Sequence, residues 1–158
     1  MILTIEQLIE TVAGLKKMGK TIVTTNGVFD ILHTGHIRYL FEAKKMGDVL
    51  IVGINSDAST RALKGETRPI NTELDRSEVV HALQAVDHVV IFDELDPRAL
   101  LEIIKPDFHV KGGDYIMDKI IEKDVVEAGG GTVILIDASP GYATTNIIRK
   151  IRGNQFDQ

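Results

Sequence analysis

An α/β fold on a doubly wound, five-stranded parallel sheet follows from three observations on this 158-residue chain. Short β-branched runs alternate with helix-period segments along its length. One of these runs, Val49 to Ile54, is continuously apolar, as a strand buried on both faces is. Gly, Asn and Asp mark the junctions between them. One domain accommodates residues 1–158, as an amino-terminal helix over 1–19 and a core over 21–152.

Each element has a local reason. Ile5 to Met18 carries Ile5, Leu8, Ile9, Val12 and Leu15 at helical spacing, with Thr4 as N-cap and Gly19 as stop. This helix is expected to pack on the sheet or on a neighbouring subunit. Thr21 to Thr25 reads as the first strand, followed by a glycine turn and a helix from Gly35 to about Met46. Asp48 to Ile54 reads as the second strand, so the two strands form a parallel pair with a right-handed crossover. Asn55, Ser56 and Asp57 suit a turn or cap. Ala58 to Asn71, small and polar, is expected to be a functional loop. Thr72 caps a helix to Ala85 whose apolar face includes Leu74, Val79, Val80 and Leu83. His88 to Phe92 is the third strand, Pro97 to Ile104 a short helix, and Phe108 to Lys111 the fourth strand. Met117 to Ala128 turns helical in its second half, and Thr132 to Ile136 is the fifth strand. A last helix, capped by Thr144 or Thr145, carries Ile147, Ile148 and Ile151.

Chemistry concentrates in Thr24 to His36, TTNGVFDILHTGH. Asn26, Gly27, Val28 and Phe29 form the turn, and Gly27 lets the backbone approach an anion closely. His33 and His36 bracket Gly35 at a helix mouth, where free N–H groups and the dipole already favour phosphate. The turn Lys111 Gly112 Gly113 Asp114, with paired glycines, ends the fourth strand. Tyr142, Thr144 and Thr145 begin the last helix, a second mouth for phosphates. All three stretches fall on the carboxyl edge of the sheet, where such folds bind ligands. Lys64, beside Gly65, can approach a phosphate. Arg76, set early in a helix against its dipole, requires a carboxylate or phosphate partner. Asp30 is placed to orient a histidine or to sit near a metal. His81, His88 and His109 lie among apolar residues without ligand spacing and read as structural.

Composition removes several functions. A net charge of −5 argues against a nucleic-acid partner, while a few focused cations still suffice for a nucleotide. Without cysteine there is no disulfide, thiolate catalysis or thiolate metal site. No apolar run is long enough to span a membrane and no leader pattern begins the chain, so a cytoplasmic location is expected. Neither the dinucleotide fingerprint GxGxxG nor the P-loop GxxxxGK[ST] occurs.

His33 Thr34 Gly35 His36 resembles the HxGH signature of the nucleotidyltransferase superfamily, which has a Rossmann-like sheet. The order TNGVFDILHTGHIRYL, NSDAS, LKGETRPIN, VDHVVIF, VKGGDY and GYATTNII is similar to the D-glycero-D-manno-heptose 1-phosphate adenylyltransferase family over nearly all of 21–152. That family occurs alone or as the carboxyl-terminal half of a bifunctional kinase-transferase; with no kinase segment here, the resemblance implies a stand-alone form. It further implies transfer of AMP from ATP to a heptose 1-phosphate, with Mg²⁺ on the triphosphate, a homodimer, and a place in lipopolysaccharide synthesis. His33, His36, Lys64 and Arg76 are then the catalytic residues. Ala138 and Ala143 stand where cytidylyltransferases carry the arginine and first serine of RTEGISTT, which weakens a CTP reading. Two alternatives remain at this point: a CTP-dependent enzyme acting on glycerol phosphate, and a non-catalytic nucleotide-binding module.

Overall fold

In the computed structural model, which describes residues 1–113, 117–136 and 143–153, the strands are β1 (Ile2–Leu3), β2 (Ile22–Gly27), β3 (Val49–Asn55), β4 (His88–Phe92), β5 (Phe108–Gly112) and β6 (Thr132–Ile136). The helices are α1 (Ile5–Lys17), α2 (Thr34–Lys44), α3 (Asp57–Lys64), α4 (Glu73–His81), α5 (Arg98–Ile104), α6 (Lys123–Ala128) and α7 (Thr144–Ile151). The sheet is six-stranded in the order β1-β4-β3-β2-β5-β6, with every pairing parallel. The strand beyond the expected five is β1, whose two residues pair with Val89 and Val90 and are too few to show a period.

The continuous apolar run is explained by burial on both faces. Along β3, Leu50, Val52 and Ile54 join Val23, Leu40 and Val80 in the layer carrying α2 and α4. Val49 and Ile51 join Leu8, Val12, Leu100 and Ile104 in the layer carrying α1 and α5. At the opposite end of the sheet, Leu50 N–H donates to the Asp87 carboxylate at 2.7 Å and Ile22 N–H to Asp107 at 2.7 Å. These bonds satisfy donors that would otherwise be buried alone.

Two expected segments differ. Residues 58–71 are not a continuous loop, because α3 occupies Asp57–Lys64 with Ser56 as its N-cap. Its inner side is held by polar contacts, Asn55 to Ser59 at 3.0 Å and Ser59 to the Glu94 carbonyl at 2.7 Å, so no apolar stripe announces it. In α4, Leu74 and Val79 face outward, whereas Arg76, Ser77 and Val80 are buried.

The order of strands reverses between β2 and β5, which puts the topological switch there. Tyr39 of α2 staples this junction: its hydroxyl donates to the Val110 carbonyl at 2.7 Å and meets Thr25 Oγ1 at 2.5 Å. A Cβ on Gly112 would lie 2.7 Å from the Tyr39 ring, so the missing side chain accommodates a pinned aromatic. Gly112→Ala is therefore expected to lower unfolding free energy by about 1–3 kcal/mol in urea titration; an unchanged midpoint would remove this packing reason for glycine.

Candidate active site

The cleft at the carboxyl edge has a volume of ≈ 530 Å³ and draws on both sides of the switch. From β2 and its turn come Asn26, Gly27, Val28, Phe29 and Asp30; α2 contributes His36. Asn55, Leu63, Lys64 and Arg68 follow from β3, α3 and the segment beyond it, and Leu95, Asp96 and Pro97 from the approach to α5. The facing wall is Lys111, the segment Lys119–Glu122, and Thr144 and Thr145 of α7.

The turn after β2 is shaped from within. Phe29 has a positive φ of 49°, rare for a non-glycine residue, and its ring folds back so that a Cβ on Gly27 would meet it at 3.0 Å. Gly27 thus makes room for Phe29 as well as lining the cleft. The same ring meets His36 edge-on, with centroids 5.3 Å apart.

His33 is the N-cap of α2, its Nδ1 accepting from the His36 N–H at 3.3 Å, and the two imidazoles stack at 3.8 Å and 16°. His36 lines the cleft; His33 is not among the lining residues and supports it from behind. Burial, and secondarily the nearby His33, lower the His36 pKa to about 4, so the ring is neutral at neutral pH. Its Nδ1 is buried without a hydrogen-bond partner among the described residues.

Arg76 is corrected from a phosphate-facing cation to a buried clamp. Its guanidinium donates to the Val28 carbonyl at 2.6 Å, the Asn71 carbonyl at 3.1 Å and Asp57 at 2.8 Å, with the side chain fully enclosed. The arginine does have the carboxylate partner that its place in the helix demanded, and that partner is Asp57. Asp30 is corrected as well. Its carboxylate accepts from the N–H groups of Ile70 and Asn71 at 2.9 Å and from Arg68 at 2.6 Å, so it neither orients a histidine nor stands free for a metal. Burial works to raise its pKa, and these bonds outweigh it and hold the carboxyl below the usual range.

The expected Thr144 or Thr145 cap is absent: Ala143 is the N-cap of α7 without a side-chain bond, and Thr144 instead donates to the Ile31 carbonyl at 3.2 Å. That bond ties α7 to the chain beyond Asp30. Asp114 and Tyr142 lie outside the described residues. Gly112 and Gly113 flank the cleft without being among its lining residues. Sequence reasoning missed Asn55, Asp96, Lys119 and Glu122; a cluster of charges just before α6 was the only available signal for the last two. Among the described residues no three His, Asp or Glu side chains gather as metal ligands. No described helix is long and apolar enough to cross a membrane.

The sequence pattern of the Cytidylyltransferase-like family matches residues 24–152, a span holding both halves of the cleft. The chain belongs to the cytidylyltransferase-like family. It is a nucleotidyltransferase, and the HxGH histidines, the turn after β2 and the start of α7 fall inside the matched span. Bifunctional protein HldE of Syntrophotalea carbinolica is 50% identical over 136 residues, covering 86% of this chain and 28% of the relative. The protein of the same name from Klebsiella pneumoniae is 52% identical over 147 residues, covering 93% of this chain and 31% of the relative. The chain thus spans between 28% and 31% of the length of these two relatives. A lipopolysaccharide core biosynthesis protein from Thermoplasma volcanium has a TM-score of 0.64 and 36% identity, covering 77% of this chain and 98% of that one. Pantoate-beta-alanine ligase from Francisella tularensis also has a TM-score of 0.64, at 18% identity over 96% of this chain and 77% of that one, which is a likeness of fold alone.

The lowered His36 pKa fixes a pH dependence for this nucleotidyltransferase. Between its folded value of about 4 and the ordinary 6.5, the unfolded chain holds more protons, so stability falls as pH drops through that window. His33, His88 and His109 are lowered too and act with the same sign. His36→Gln should therefore lose less melting temperature than the wild type between about pH 7 and about pH 5, read by circular dichroism. Parallel losses in the two proteins would show that His36 carries none of this dependence.

Proposed function

We propose that this nucleotidyltransferase transfers AMP from ATP to D-glycero-D-manno-heptose 1-phosphate, forming ADP-heptose and pyrophosphate. The observation that carries the chemistry is the state of the carboxylates lining the cleft. Asp30 is saturated by Ile70, Asn71 and Arg68, Asp96 pairs with Arg98, and Glu122 pairs with Lys111. Each is occupied by protein donors, which leaves the acceptor's own phosphate oxygen as the attacking group. That oxygen forms a bond to the α-phosphorus of ATP while the bond from α-phosphorus to the bridging oxygen breaks in line, and pyrophosphate departs with the electron pair.

Catalysis in this reading is positioning and charge compensation. His36, neutral before substrate arrives, has one ring N–H to donate, and negative charge from the triphosphate favours its protonation. Lys64 and Lys119 have no protein partner among the described residues and stand to offset the growing charge on the leaving group. His33 and Arg76 act one step removed, through His36 and through the Val28 carbonyl. The substrate is the magnesium complex of ATP, because a triphosphate-bound Mg²⁺ keeps much of its water and needs few protein ligands.

The identity of the sugar is supported by the ordered motif resemblance and by relatives named bifunctional protein HldE and lipopolysaccharide core biosynthesis protein. Pyrophosphate release from ATP, CTP, GTP and UTP against a panel of sugar and alcohol phosphates tests it. ATP with the heptose 1-phosphate should be the best pair; a preference for CTP with glycerol phosphate would replace the reading, and no release with any pair would end it. His36→Ala should lower turnover by about 10²–10³-fold with the fold intact by circular dichroism at neutral pH. A change below about threefold would remove His36 from the chemistry.

A further inference from the structure

Of the three carboxylates lining a cleft that must attract anions, one is paired with a lysine of the same cleft. Glu122 lines the cleft, yet its side chain is only 4% exposed. Its Oε1 lies 2.5 Å from Lys111 Nζ and 3.6 Å from His109 Nε2. His109 is wholly buried and is itself held by Thr24, 2.9 Å from Nδ1. Lys111 Nζ in turn lies 3.3 Å from Asn26 Oδ1, at the end of the neighbouring strand β2. A row of side chains therefore runs from the sheet interior, through Glu122, to an ammonium suspended between the ends of β2 and β5. Burial alone would raise the Glu122 pKa; the contacts from His109 and Lys111 outweigh it and lower the value to about 2, so the carboxylate is charged at any working pH.

From this arrangement we infer that Glu122 is a positioning residue for nucleotide binding: its carboxylate, backed by His109 and Thr24, fixes the Lys111 ammonium at the switch point so that it meets the triphosphate. The inference rests on the nucleotidyltransferase reading only in using ATP as the ligand, and it does not depend on which acceptor is adenylated. A lysine has four rotatable side-chain bonds and would otherwise lose that freedom when the nucleotide arrives. A carboxylate at 2.5 Å imposes the geometry beforehand, and in doing so subtracts from the positive potential of the cleft.

Those two effects have opposite signs, which makes the inference testable. If Glu122 merely contributed charge, Glu122→Gln would tighten ATP binding. If it positions Lys111, the same change weakens binding despite removing a negative charge. The experiment is calorimetric titration of the whole chain with magnesium-ATP for the wild type, Glu122→Gln, Lys111→Met and the double variant, with thermal melts on each. We expect Glu122→Gln to weaken binding about 5–10-fold, and to change it less than twofold when Lys111 is already methionine, because the effect passes through that side chain. Glu122→Asp, which keeps the charge and withdraws it by one methylene, should fall between wild type and Glu122→Gln, and it carries the test should the glutamine variant fail to fold. Binding equal to or tighter than wild type in Glu122→Gln, wild-type affinity in Glu122→Asp, or an equal loss with and without Lys111 would each overturn the inference. Wild-type ATP binding without pyrophosphate release from any acceptor would sink the proposed reaction and leave this inference standing.

Discussion

The buried guanidinium of Arg76 is the tie on which the rest of the cleft depends. Its three acceptors belong to three separate segments: the turn after β2, the residue before the α4 cap, and the first residue of α3. A charge enclosed this far is tolerated only when its hydrogen bonds are complete, and breaking such a set typically costs about 3–5 kcal/mol. The carbonyl of Val28 is held from below by this group while the Asp30 carboxylate collects the N–H groups of Ile70 and Asn71. Between them the two residues turn a glycine-containing loop into a rigid floor, with Phe29 folded over Gly27 and against His36. Rigidity there matters because hydrogen-bond donors aimed in advance at developing charge need no reorganisation during reaction.

Most of the fold was legible because the strands are unambiguous. Val49 to Ile54 is apolar throughout, as a strand covered on both faces is, and the flanking Gly47 and Asn55 hold the run to strand length. Thr72 and Ser56 carry short hydroxyl side chains before acidic first turns and do cap their helices. What escaped notice lacked an apolar signature. The inner face of α3 is serine and threonine satisfied by Asn55 and Glu94, which in sequence looks like a polar loop. Two-residue β1 has no period to detect.

The candidate site was legible where a motif names it and illegible where function depends on which way a side chain points. Asn26, Gly27, His36, Lys111, Thr144 and Thr145 do converge on one cleft. Arg76 and Asp30 were recognisable as important, but a linear sequence cannot distinguish a charge aimed at a ligand from one aimed at the backbone. Glu122 gave no sign beyond the run of charges before α6, since its partners His109 and Lys111 come from the preceding strand and meet it through the packing of Ile120 and Val126.

The pairing of β2 with β5 brings together residues about 85 positions apart, as the Thr24 to His109 contact shows. Closing so wide a loop carries an entropic penalty that neighbouring strands in sequence do not face. The bank built by residues 26–97 shares an apolar layer with the far bank, since Val110, Phe108 and Ile136 pack with Leu40, Leu50 and Val80. Synthesis from the ribosome delivers one bank first, and the cleft is complete only when Lys111, Glu122 and Thr144 dock beside it. A nucleotide bridging the two banks would act as a clasp across the seam, so substrate occupancy and the cohesion of the domain's final third are coupled quantities.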